Sequence, residues 1–199
     1  LSITNAAGST AAVAIRIAGE SSLMLTLVRI SDSVGTSPAV YLTSGSNLSL
    51  VATRIENNAG GGLYTQSSTT TTIRNSVFSG NNNSSGGAIS NGGDLTVVNS
   101  TFSGNTASFN GGAILNGGDA SLYNVTVAAN TAGLSGTAGS GGGLSTVAGT
   151  TSLQNSIVAD NANLVSANTQ DCFGSYVSGG YNLIEDVAGC TITGDLATT

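Results

Sequence analysis

Apolar residues along this chain recur in short alternating runs, not at helical spacing. Leu23, Leu25 and Leu27, then Leu48 and Leu50, then Leu95 and Val97 each occupy every second position. That alternation puts them on one side of an extended strand. No window holds a 3.6-residue period over ten or more positions. The residues within the runs are Thr, Val, Ile, Phe and Tyr, which suit a pleated, half-buried surface. Clusters of Gly, Asn, Ser and Thr separate the runs and read as turns. The pattern therefore predicts many short strands and no helix.

The runs themselves repeat. GGGLYTQSSTTTTIRNSVFSGN (60–81), GGAISNGGDLTVVNSTFSGN (86–105) and GGAILNGGDASLYNVTVAAN (111–130) are three copies of one unit, and GGGLSTVAGTTSLQNSIVADN (141–161) is a looser fourth. Three apolar columns fix the register. One is Ile30, Ile55, Phe78, Phe102, Val127 and Val158, with steps of 25, 23, 24, 25 and 31. The second is Leu25, Leu50, Ile73, Val97, Leu122 and Leu153. The third is Ile15, Val40, Leu63, Ile89, Ile114 and Leu144. A unit of about 24–25 residues with two or three strands leaves no room for a helix and describes one coil of a parallel β-helix, roughly seven coils in all. The columns become inward ladders of an all-β, single-domain solenoid. The largest insertion, 131–140, is expected to bulge from one coil.

Two asparagine columns follow the same register. Asn58, Asn81, Asn105, Asn130 and Asn161 share one position, with Ser33 in the first complete coil. Asn75, Asn99, Asn124 and Asn155 share another. Asparagine accepts the left-handed backbone at a corner, and its amide can bond to the amide one coil away. Both columns are read as structural. The NGGD segments at 91–94 and 116–119 are expected to form tight turns with positive φ. They would stack Asp94 on Asp119, a candidate pair of Ca²⁺ ligands, although a Ca²⁺ site wants six to eight oxygens. No other cofactor is called for.

Composition narrows the function classes. Charged residues make up 7% of the 199-residue chain, His and Lys are absent, and the net charge is −6. All four basic residues, Arg16, Arg29, Arg54 and Arg74, lie in the first 74 positions. Phosphate neutralisation needs clustered cations, so nucleic acid is excluded as a partner. No apolar run approaches the length of a membrane-spanning helix. A surface of Ser, Thr, Asn and Gly suits a secreted, extracellular protein at a cell surface. Cys172 and Cys190 are expected to pair as a disulfide near one end, which requires an oxidising compartment. Five N-x-S/T sequons, at Asn47, Asn82, Asn83, Asn99 and Asn124, are read as chance.

The domain reading is β-helix coils over 1–163 and an atypical C-terminal cap over 164–199. No cap is evident at the start, where Leu1 to Thr4 already reads as a strand. That opening implies either removed preceding sequence or a docked molecule, and it raises end-to-end self-association.

Gly86–Ile89 with Phe78–Asn81, and Gly111–Ile114 with Phe102–Asn105, resemble the GGA(I/L) and FxxN repeats of chlamydial polymorphic outer-membrane proteins. The chain is more similar to bacterial β-helix surface proteins called choice-of-anchor Q or CSLREA-type. The residues that carry this are Asn155–Asn161 (NSIVADN), Asp171-Cys172, Gly180–Ile184 (GYNLI), Gly189-Cys190 and Gly194–Leu196 (GDL). The resemblance implies secretion and a right-handed helix, and it brings no catalytic residues.

The chain is accordingly read as a non-enzyme. Glycoside hydrolysis needs two carboxylates across a groove, and a lyase needs an acidic Ca²⁺ cluster with a base. Neither is legible, and the one mixed charge cluster is Arg29, Asp32, Arg54 and Glu56. The expected function is a structural scaffold at the cell surface, with filament formation by head-to-tail docking. The alternatives are an adhesin that stacks extracellular glycans on the outward pair Tyr41 and Tyr64, or a polysaccharide-degrading β-helix enzyme.

Overall fold

In the computed structural model, residues 1–4 and 13–195 are described, and they wind as a solenoid of parallel strands. Residues 5–12 of the predicted coil region and 196–199 of the predicted cap lie outside the described residues. Each full coil contributes a strand to three faces. The first face holds Ile15–Ile17, Val40–Leu42, Leu63–Thr65, Ile89–Asn91, Ile114–Asn116 and Leu144–Thr146. The second holds Ser22–Thr26, Asn47–Val51, Thr70–Arg74, Asp94–Val98, Asp119–Tyr123 and Thr151–Gln154. The third is an eight-stranded sheet running from Ser2–Thr4 through Arg29–Ser31, Val77–Ser79 and Ile157–Ala159 to Leu183–Ile184. A fourth, short sheet of two-residue strands begins at Asn82–Asn83 and ends at Ala162–Asn163.

The three predicted columns are the observed registers. Ile55 pairs with Phe78, Phe78 with Phe102 and Phe102 with Val127. Leu50, Ile73, Val97 and Leu122 form one row, and Val40, Leu63, Ile89 and Ile114 another. These side chains are buried in one continuous core. The rings of Phe78 and Phe102 stack at 5.0 Å between centroids. Burying such a side chain contributes about 1.5–3 kcal/mol, so the repeated column is the main source of the fold's stability.

Corners explain the spacing. Every second-face column residue precedes its third-face counterpart by five positions, from Leu25/Ile30 to Leu153/Val158. The turn between them uses one left-handed residue per coil. Asn75, Asn99, Asn124 and Asn155 hold φ of 53°, 51°, 55° and 50°, while Leu27 and Ala52 do the same work in the first coils. The alternation expected through Leu27 therefore stops at Leu25. Leu27 sits at the corner with φ 56° and is 72% exposed. Most length variation lies at the corner that leads back to the first face, where the step is 5 from Asn58 to Leu63 and 14 from Asn130 to Leu144; the step out of the first face varies less, from 10 between Leu63 and Ile73 to 8 between Ile89 and Val97. The insertion itself begins after Thr131–Ala132, which still pair in the short sheet.

The NGGD segments differ from expectation. Neither Asn91, Asn116 nor the glycines after them have positive φ. Both asparagines end first-face strands with buried side chains, and Asp94 and Asp119 begin the next strands. The glycines serve close approach between coils instead. A Cβ on Gly118 would stand 2.3 Å from the Gly93 carbonyl oxygen.

The segment after 164 carries the ladders one coil further. Cys172 pairs with Leu144, Tyr176 with Thr151 and Leu183 with Ile157. Here the first and second faces fuse into one strand, Cys172–Gly179, and Cys190–Asp195 pairs along its outer edge.

Candidate functional site

The most ordered chemistry in the molecule is internal. Asn58, Asn81, Asn105, Asn130 and Asn161 form a one-directional ladder. Each Nδ2 donates to the Oδ1 one coil further on, at 2.9–3.0 Å from Asn58 to Asn161, and each backbone N–H donates to the same oxygen. The second Nδ2 proton goes to a backbone carbonyl, as from Asn105 to Phe78. At the start, the Ser33 N–H donates to Asn58 Oδ1, and the buried Ser33 hydroxyl has no partner.

Such a ladder needs an acceptor at its far end, and Asp171 supplies it. Its Oδ1 accepts from the Asn161 Nδ2 at 2.8 Å and from the Asn161 N–H at 3.1 Å, and its Oδ2 accepts from the Asp186 N–H at 2.8 Å. Asp171 is fully enclosed. Burial pushes its carboxyl above the usual carboxylate range, against the pull of these hydrogen bonds, and the nearby Glu185 charge adds to the rise.

Two further internal rows escaped sequence reasoning. The Thr65 hydroxyl donates to Asn91 Oδ1, Asn91 Nδ2 to Asn116 Oδ1, and Asn116 Nδ2 to the Thr151 hydroxyl. The row closes on Thr146, with Tyr176 packed beyond it. Tyr176 is buried, donates its hydroxyl to the Phe173 carbonyl, and has its pKa raised by desolvation. The other row uses Ser76, Ser100 and Ser156, whose hydroxyls accept backbone N–H groups from the preceding coil. Its signal was the Asn-Ser pair that recurs ahead of three third-face strands, at 75–76, 99–100 and 155–156.

Outside, Tyr41 and Tyr64 do stack, at 4.9 Å and 23°. Arg16 lies over the Tyr41 ring at 5.4 Å, and Gln66 Nε2 donates to the Tyr41 hydroxyl at 3.0 Å. Tyr41 is thus occupied by protein groups. Only Tyr64 has a small neighbour in its column, Ser90. Asp94 and Asp119 pair in register on adjacent strands, and both are exposed. Asp119 Oδ1 accepts the Thr150 N–H at 2.8 Å. No third acidic, His or Cys residue joins them into a metal-binding group among the described residues. Cys172 and Cys190 are joined as a disulfide between the paired strands Cys172–Gly179 and Cys190–Asp195, with Cα atoms 5.7 Å apart. In the charge cluster, Arg29 Nε donates to Glu56 in a close contact, while Arg29–Asp32 and Arg54–Glu56 stand at 3.9 and 3.8 Å.

Among the described residues no helix is long and apolar enough to cross a membrane. A family model described as right handed beta helix region matches residues 13–195. No curated protein and no solved structure matches the chain.

Proposed function

The chain belongs to the right-handed β-helix family, and on that premise we propose that it is an extracellular scaffold of the cell surface, not a catalyst, with coils that stack end to end between molecules. One observation carries this reading: six of the ten acidic side chains are engaged in structural contacts, four of them with backbone N–H groups and two with Arg29. Asp171 ends the Asn ladder, Glu56 and Asp32 pair with Arg29, Asp119 holds the Thr150 N–H, Glu185 holds the Asp160 N–H and Asp186 holds the Ala188 N–H. An active site requires convergent, perturbed titratable groups facing a ligand. The two raised groups here, Asp171 and Tyr176, are buried in structural hydrogen bonds. The disulfide supports an oxidising compartment.

End-to-end stacking has a local motive. Ile3, Ile15, Leu23 and Leu25 face the core but are only partly covered, whereas their partners Ile30, Val40, Leu48 and Leu50 are buried. The coil of a second molecule fits over them. A second reading, glycan adhesion, is favoured by the Tyr64 face beside Ser90. Incubation with plant, algal and bacterial polysaccharides, read by new reducing ends and unsaturated products, distinguishes scaffold from enzyme. The scaffold reading expects no turnover; turnover that survives purification to homogeneity overturns it. Binding on a glycan array that is lost in Tyr64→Ala would move the assignment to the adhesin.

A further inference from the structure

The geometry points to the third face as a docking surface for a second copy of this chain, related by a two-fold axis that runs along the strands. This goes beyond end-to-end stacking and does not depend on it. The third face is the side whose flanking corners keep one length through the six coils from Leu25 to Asn161. The step into it is five residues from Leu25/Ile30 to Leu153/Val158 and six from Ser178 to Ile184 in the last coil, and the step out, from Ile30/Ser33 to Val158/Asn161, is always three. The larger length changes fall at the two corners that flank the first face, away from this sheet. Eight strands at about 4.8 Å give a plane roughly 34 Å long with two outward positions per strand.

The side chains on that plane are graded along the solenoid. The outward column runs Arg29, Arg54, Val77, Thr101, Thr126, Ile157, Leu183. Beside it run Glu56, Ser79, Ser103, Ala128 and Ala159, with Glu185 next in line. One end is guanidinium. The middle is short and β-branched. The other end is apolar and acidic: Ile157 is 43% and Leu183 59% exposed, with Glu185 and Asp160 beside them. Arg54 is 63% exposed, and its contact with Glu56 is long, at 3.8 Å.

A two-fold axis along the strand direction reverses the coil order and keeps each column opposite itself. Centred on Thr101, it places Val77 over Thr126, Arg54 over Ile157 and Arg29 over Leu183. The arginine stems then lie on the apolar residues, and the Arg54 head reaches Glu185 and Asp160 of the second copy. An axis along the solenoid would instead keep the coil order and gather both copies' arginines at one end and both copies' Glu185 and Asp160 at the other, whereas the antiparallel arrangement sets the arginine end of each copy over the acidic end of its partner. The arrangement is isologous, so it closes at two subunits. A face this narrow buries on the order of 1,000 Å² in total, the lower end for a specific interface, and implies roughly micromolar or weaker association.

Sedimentation of the full chain from about 10 μM to about 1 mM spans the range such an interface requires. A monomer–dimer equilibrium is expected. Arg54→Glu or Glu185→Arg should weaken it at least about tenfold, and the double variant R54E/E185R should restore it. Circular dichroism checks that each variant is folded. Because the native cysteines are paired, Thr101→Cys should be joined into a covalent dimer by a bis-maleimide that spans the sheet-to-sheet distance of about 10 Å, while Ser90→Cys on the first face should not. Monomer at every concentration, a double variant no better than the singles, or equal cross-linking through Ser90→Cys would each overturn the proposal.

Discussion

Asn105 shows how a single side chain is used. Its amide donates to Phe78 O and Asn130 Oδ1 and accepts from the Asn81 N–H and Nδ2. All four hydrogen-bonding positions of the amide are filled, at zero exposure. Asn105→Ala strands these partners, and leaving buried polar groups unpaired costs about 1–3 kcal/mol each. A loss of about 2–4 kcal/mol is expected in denaturant unfolding. Asn105→Asp should be worse, because an acceptor then faces the Phe78 and Asn130 oxygens; equal losses would mean that packing, not hydrogen-bond direction, matters there. Asp171 is the one ladder member that titrates. Its folded pKa lies above the ordinary carboxylate value of 3.8, so the folded chain holds the proton more tightly than the unfolded chain. Its ionised form costs stability above the folded pKa, and that cost fades as pH falls through it. Melting temperature should therefore rise as pH falls through that folded pKa toward 3.8, and the rise should shrink in Asp171→Asn. An unchanged slope in that variant would assign the effect to other carboxylates.

At the scale of the coil, the repeat made most of the fold legible. Each inward position is written six times, so one atypical residue does not hide the column, and corner asparagines such as Asn99 and Asn124 mark the left-handed turns. What stayed hidden had one cause: residues whose local chemistry points elsewhere. Asn91-Gly92 reads as a turn from its dipeptide, yet coil-to-coil approach forces the glycines flat and draws the Asn91 amide inward to Asn116. Asp171 lies where the period is lost, so nothing in the chain aligned it with Asn161. Leu27 alternates correctly but falls on a corner. The outward Tyr41/Tyr64 pair was visible, but its capture by Arg16 and Gln66 was not, since those residues come from other coils. The last coil tests the role of the disulfide. A bridge closing a loop of this size contributes about 2–4 kcal/mol. In a solenoid the loss stays near its source. In the double variant Cys172→Ser with Cys190→Ser, amide exchange should accelerate over 172–179 and 190–195 while residues 63–130 keep their protection. Uniform acceleration along the chain would contradict a locally acting staple.

For the whole molecule, charge is divided along the axis. The four arginines lie in the first 74 residues, and every charged residue after them is acidic. One end of the rod therefore attracts the other end of a second molecule, whether copies meet end to end or side by side. That polarity, the partly covered apolar residues at the first coil and the acids committed to structure are best accommodated by a self-associating scaffold. Electron microscopy of the native protein over a concentration series tests this most directly. The scaffold account predicts filaments with an axial repeat of about one solenoid length, some 35 Å at roughly 4.8 Å per coil, and ribbons two rods wide where the third faces meet. Isolated single rods at every concentration would contradict it and return the Tyr64 surface to the centre of the functional question.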